Sequence, residues 1–144
     1  MQEASTPLRV PGDRELSRLD PWSFQALPGE GVGCDRVVVG TTGAFAIVFD
    51  GEGVPAGRVR GVGRARRAAK KLKGHLRAIG LQSESVGVLC PEGHAVFAPR
   101  TVRGVRVVPK VLLASEIADR SRTTMPHQVR RAADSLARSF ARSR

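Results

Sequence analysis

The residues of this chain best equipped for chemistry are cations. Arg58, Arg60, Arg64, Arg66, Arg67, Lys70, Lys71, Lys73 and Arg77 crowd into one stretch, and no Asp or Glu occurs between Gly53 and Ser83. Groups of this type donate charge-assisted hydrogen bonds to phosphate oxygens, bidentate ones where the donor is a guanidinium. The balance of the whole chain points the same way. Its 144 residues carry a net charge of +11, but Met1 to Glu52 hold four basic and eight acidic residues (net −4), while Gly53 to Arg144 hold twenty basic and five acidic (net +15). Such asymmetry marks a surface for an anionic partner, nucleic acid before acidic lipid or protein. Twenty of the twenty-four basic residues are Arg in an Ala/Val/Gly-rich chain, so compositional bias is the rival explanation.

Other chemistries find little support. Cys34 and Cys90 lie in apolar runs and read as buried thiols, too few and too far apart for a disulfide framework or a zinc knuckle. His75, His94 and His127 do not cluster with them. There is no Gly-x-Ser-x-Gly elbow, no Walker A loop and no His/Cys pair for nucleophilic catalysis. The glycines of Gly57 to Gly63 could offer backbone N–H groups to a phosphate, although ordinary helix entry is the simpler reading. No apolar run approaches the ~18 residues of a membrane span, and the first residues do not read as a signal peptide. A soluble, cytoplasmic protein with no membrane partner is expected.

The elements that must position these groups are legible from periodicity. Residues 1–12 read as a polar, proline-containing lead-in, and 13–144 as one domain, since two would each be marginal at this length. A short helix over Gly12–Leu19 is stopped by Asp20-Pro21. Trp22–Leu27 alternates as a strand, with the lone Trp22 assigned to the core. Cys34–Val39 and Ala44–Phe49, split by a glycine-bounded loop, read as an antiparallel hairpin. The strongest helix spans Gly63–Ile79, with Ala65, Ala68, Ala69, Leu72, Leu76 and Ile79 as its buried stripe and Gly80 as its stop. Short strands follow at Val86–Cys90, His94–Ala98 and Thr101–Val108, then a helical start at Pro109–Ala118. A basic closing helix covers about 126–142, with Thr123 or Thr124 as candidate N-cap. The expected fold is α/β, an α+β mixed sheet flanked by helices.

The hairpin Asp35-Arg-Val-Val-Val-Gly-Thr-Thr-Gly-Ala-Phe-Ala-Ile47 resembles the signature of the nuclease-related domain (NERD) family. In that family an Asp opens the first strand, a Val-Val-Gly-Pro-x-Gly-Val-Phe-Val-Ile stretch follows, and a Glu-x-Lys ends the second strand. The resemblance covers about residues 21–141, the later elements falling in the family's order. It implies a central mixed β-sheet of the restriction-endonuclease-like PD-(D/E)xK type, and phosphodiester cleavage with Mg²⁺. Two carboxylates on neighbouring strands would grip the metal, and a Lys two residues after the Glu, on the same strand face, would orient the attacking water.

Mapped onto this chain, the Asp is Asp35, but the Glu position falls on Val48 and the Lys position on Asp50. The family's His after the Asp is Arg36, its loop proline is Thr41, and its early Glu is matched only loosely by Glu15. A degenerate, catalytically inactive member is therefore expected, a pseudoenzyme that keeps DNA or RNA binding without sequence specificity through its basic helix. Two alternatives stand. One is an active Mg²⁺ nuclease with relocated groups, using Asp35, Asp50 and Glu52 as ligands and Lys70 or Lys71 as the ammonium. The other is a protein-interaction scaffold. No cofactor is expected beyond Mg²⁺ in the first alternative.

Overall fold

A computed structural model describes residues 12–50, 61–91 and 98–142. Six strands form one mixed sheet: β1 (Phe24–Pro28), β2 (Arg36–Gly40), β3 (Gly43–Asp50), β4 (Ser85–Pro91), β5 (Arg100–Val102) and β6 (Val105–Val107), in the order β1-β2-β3-β4-β6-β5. β1, β2 and β3 make an antiparallel meander. β4 joins β3 in parallel, β6 joins β4 in parallel, and β5 closes the edge antiparallel to β6. Four α-helices flank it: α1 (Asp13–Leu16), α2 (Val62–Ala78), α3 (Leu113–Ala118, after a 3-10 turn at Lys110–Leu112) and α4 (Pro126–Arg142). The expected mixed α+β architecture is present.

Period-two alternation sorts the sheet residues between two cores. Val37, Val39, Ala44, Ala46, Val48, Leu89, Val105 and Val107 pack under α2 and α4. Val38, Phe45, Ile47, Phe49, Val86, Val88 and Cys90 pack under α1 and α3. β3 and β4 are buried on both faces, which is why their sequences are continuous apolar runs rather than alternating ones. Close approach fixes two glycines. A Cβ on Gly87 would stand 2.8 Å from the Ala65 carbonyl oxygen of α2, and one on Gly40 would stand 2.1 Å from the Phe24 ring.

The β2–β3 loop is the two residues Thr41-Thr42, both buried. A buried loop must satisfy its polar groups within the protein. Thr42 Oγ1 donates to the Ile117 carbonyl at 2.7 Å, Thr41 N–H donates to Ser23 O, and Thr41 O accepts from Thr123 and Thr124 N–H. The family-like proline position is thus filled by a residue whose N–H is needed.

Several sequence expectations require correction. α1 is a single turn, because the chain continues from Leu16 in i→i+3 hydrogen bonds (Arg18 N–H to Glu15 O, Leu19 N–H to Leu16 O) before Pro21. β1 begins at Phe24, and Trp22 is not core but 79% exposed. The cause is Asp20. Its carbonyl accepts from Ser23 and Phe24 N–H, and its carboxylate accepts from Trp22 N–H (3.1 Å) and Ser23 Oγ (3.1 Å), so Trp22 and Ser23 form a turn. The stretch Thr101–Val108 is two strands, β5 and β6, turning at Arg103 (φ 51°) and Gly104 (φ 83°). α4 starts at Pro126 without a threonine cap. Thr123 and Thr124 serve Thr41 instead, and Gln128 Oε1 accepts the Met125 N–H at 3.2 Å. Of the expected strand His94–Ala98, only Ala98 lies inside the described residues, in a bend.

Candidate functional site

Asp35 immediately precedes β2. One step beyond the Arg36↔Ile47 pair of the β2–β3 register, it falls opposite Val48. The two positions that the family resemblance assigns to metal-binding carboxylates are therefore neighbours across two strands. Their chemistry differs from the family pattern. Asp35 Oδ2 accepts the Phe49 N–H at 2.8 Å, and Oδ1 pairs with Arg64 of α2 at 3.3 Å. Arg64 also donates through Nε to the Gly33 carbonyl at 2.8 Å. Each carboxylate oxygen thus faces a group of the protein, and the positive charge beside it is a guanidinium.

Val48 is 2% exposed and lies under the N-terminal end of α2. Gly61 caps that end with φ 89°, and a Cβ there would come 2.9 Å from Leu89 Cδ1 and 3.4 Å from Val48 Cγ1. Gly61 therefore serves helix entry over an apolar floor, the simpler of the two expectations for this glycine run. Asp50 is the last residue of β3, its side chain outside the described part, and Glu52, Arg58, Arg60 and Gly57 also lie outside it. Lys70 and Lys71 are exposed on α2, about 9 Å or more along the axis from Arg64 at 1.5 Å per residue. The α2 side chain that reaches Asp35 is Arg64, not either lysine.

Other titratable groups near the hairpin serve structure. Arg36 makes a two-pronged pair with Asp13 of α1, Nε to Oδ1 and Nη2 to Oδ2, both at 3.0 Å. Glu15 is buried, with its Oε1 3.4 Å from Arg18 Nη1. Cys34 and Cys90 are buried free thiols, and burial pushes the Cys34 thiol up to about 11, which leaves it a weak nucleophile. Among the described residues, no group of three His, Cys, Asp or Glu side chains could hold a metal ion. The described residues at this site do not fit a Mg²⁺ centre: one carboxylate is held by an amide and a guanidinium, and its partner position is aliphatic.

The cations form the second feature. With Ala65, Ala68, Leu72 and Leu76 buried, the seven Arg and Lys residues from Arg64 to Arg77 all lie on the exposed part of α2. Arg66, Lys70, Lys73 and Arg77 follow i, i+4, i+7, i+11 and share one flank. Arg67 and Lys71 lie on the other, on the side of His75, which meets α4: His75 Nδ1 is 2.6 Å from Ser139 Oγ, and its ring stands edge-on to Phe140. Among the described residues, none of these six has an ion-pair partner; Arg64 alone on α2 is paired. α4 adds exposed Arg130, Arg131, Arg138 and Arg142 against one acid, Asp134. At the far end of α2 an open hollow of about 670 Å³ is lined by Lys73, Arg77, Gln82, Ser83 and Glu84 among others, so a carboxylate stands among its cations.

A scan against family models found none that matches, and neither the curated proteins nor the solved structures contained a match. From the sequence Asp35 is expected to pair with a neighbouring Arg, but not with Arg64 in particular, and the Arg36–Asp13 pair and the exposure of Trp22 are missed. No local signal marks Arg64, since it is one of seven cations on α2 and lies 29 residues from Asp35. No helix of the described residues is long and apolar enough to cross a membrane.

Proposed function

We propose that this chain is a nuclease-derived module that no longer cleaves and instead holds nucleic-acid backbone, without sequence specificity, on the face carrying α2 and α4. The observation that carries this reading is the density of unpaired cations on one helix. Six adjacent basic side chains on α2 have no carboxylate beside them among the described residues, whereas four arginines elsewhere are each matched to one. Compositional bias alone would enrich arginine everywhere, with no reason to leave one helix without acids. Like charges three or four residues apart cost a helix a few tenths of a kcal/mol per pair, roughly. An external polyanion would offset that cost.

The non-catalytic half of the reading rests on Val48 and on the closed coordination of Asp35. The test is retention and cleavage of mixed DNA and RNA, with and without Mg²⁺, across a salt series. If about five duplex phosphates are engaged, log Kobs should fall with log salt at a slope of about −4.5. Replacing Lys70, Lys71 and Lys73 together by Glu should flatten that slope by about 3 units or more. A salt-independent affinity, or no retention in dilute buffer, defeats the binding half. Cleavage that EDTA stops and Asp35→Ala abolishes defeats the inactive half.

A further inference from the structure

Trp22 is the one tryptophan of the chain, and it stands in solvent. Large aromatics carry the greatest apolar area of any side chain, and an uncovered indole presents a π-face that can stack. This exposure is built rather than incidental. Asp20 fastens the turn by four hydrogen bonds, two to its carbonyl and two to its carboxylate, and Gln25 Nε2 donates to the Pro21 carbonyl at 2.7 Å. The backbone that bears the indole is held while the ring is left out.

The corner lies at the start of α4, with the Asp20 carboxylate on one side of Trp22 and Arg122 exposed nearby in sequence to the helix. Ser23 O, Thr41 and the N–H groups of Thr123 and Thr124 form a backbone relay that sets the turn beside the start of α4. Arg122, Met125 and His127 there are exposed, Met125 to 51%. From this corner α4 runs 17 residues, about 25 Å at 1.5 Å per residue. Exposed Arg130, Arg131, Arg138 and Arg142 lie along it with one exposed acid, Asp134, among them, and Ser139 and Phe140 meet His75 of α2. A line of cations therefore joins the basic face of α2 to an isolated aromatic plane. A duplex buries its base faces in its own stack and could use only the cations. An unpaired strand offers phosphates to the arginines and a free base to the indole, the combination by which single strands are held without sequence preference.

We infer that Trp22 is a stacking platform for an unpaired base, so that the nucleic acid received by the α2/α4 face is single-stranded where it reaches this corner. This rests on the basic-face reading and adds the substrate class to it. The absence of tyrosine and of any second tryptophan makes the indole its own reporter. Titrating the full chain with a short oligodeoxythymidylate in dilute buffer should quench its emission, whereas a blunt duplex of equal charge should bind without doing so. Trp22→Ala should weaken single-strand binding by about 5- to 150-fold, the worth of one stacked base, and leave duplex binding unchanged. Trp22→Phe should restore much of the loss. Because the ring is exposed, the thermal melt of both variants should match the parent, separating lost stacking from lost folding. Binding of both oligonucleotides with unaltered emission and an unaffected Trp22→Ala variant overturns the stacking platform and leaves the basic face standing. No binding of either overturns both. Loss of self-association in Trp22→Ala, by sedimentation, with oligonucleotide affinity intact, assigns the corner to a protein partner and likewise overturns the inference.

Discussion

The two faces of the sheet treat arginine in opposite ways. On the side of α1 and α3, Arg36 grips Asp13 with two hydrogen bonds, Arg106 grips Glu116 with two at 3.0 and 3.1 Å, and Arg120 reaches Glu116 at 3.6 Å and Glu84 at 3.8 Å while lying over the Phe45 ring. On the side of α2 and α4, one arginine, Arg64, is paired, and the remaining cations point outward. The first arrangement uses guanidinium as a structural fork between sheet and helix, where planarity and fixed donors match a carboxylate. The second leaves cations with no carboxylate partner among the described residues. The same residue type therefore tells little about function until its partners are known.

The contrast can be broken most sharply at Arg36. Its side chain is largely buried, so Arg36→Ala would leave Asp13 half-covered without its two-pronged partner. The loss should be about 2–3 kcal/mol in denaturant unfolding, with retention of nucleic acid by the folded fraction unchanged. A loss below about 0.5 kcal/mol would show that the pair is merely a surface contact.

The opposite outcome is expected on the other face. Converting Lys70, Lys71 and Lys73 to Gln removes charges without inserting acids. Stability should stay the same or rise by a few tenths of a kcal/mol, roughly, as like-charge repulsion along α2 is relieved, while affinity for nucleic acid falls. A marked destabilisation would mean that these lysines hold structure, and the distinction between the faces would dissolve.

How far the sequence carried this picture depends on which kind of signal each element sends. α2 and α4 were legible almost to the residue, because a helix with one buried stripe writes a 3.6-residue period over its whole length, and both Gly61 and Pro126 mark entries. The β2–β3 hairpin was equally plain, since its apolar runs are bounded by Gly40 and Gly43. Trp22 was misplaced because alternation over six residues cannot see the hydrogen bond its N–H donates to Asp20, which bends the first two into a turn. At the site, Val48 and Asp35 could be placed from the hairpin register alone. The partner of Asp35 could not, because Arg64 arrives from 29 residues away and nothing local distinguishes it from its neighbours on α2. Pairings between distant elements are tertiary facts, and residue patterning is silent on them.

The smallest expected effect lies where the two cationic helices touch. His75 packs on Phe140 and Ser139, and its pKa is lowered below the usual 6.5, first by burial and then by the nearby Arg142 charge. A histidine depressed in the folded state favours its neutral form there, so its contribution is complete above pH 6.5. That contribution is lost as the pH falls from there through the folded value, because the unfolded chain takes up the proton more readily. Thermal melts should therefore decline slightly from pH 7.5 to 5.5, and His75→Gln should lessen that decline. Added polyanion should lessen it too, since phosphates on the α2/α4 face would offset the repulsion from Arg142 and raise the His75 pKa toward its ordinary value. If polyanion leaves the acid slope of the parent unchanged while still binding, the bound phosphates lie away from the α2–α4 junction. The track of cations toward Trp22 would then have to be drawn along another edge of the molecule.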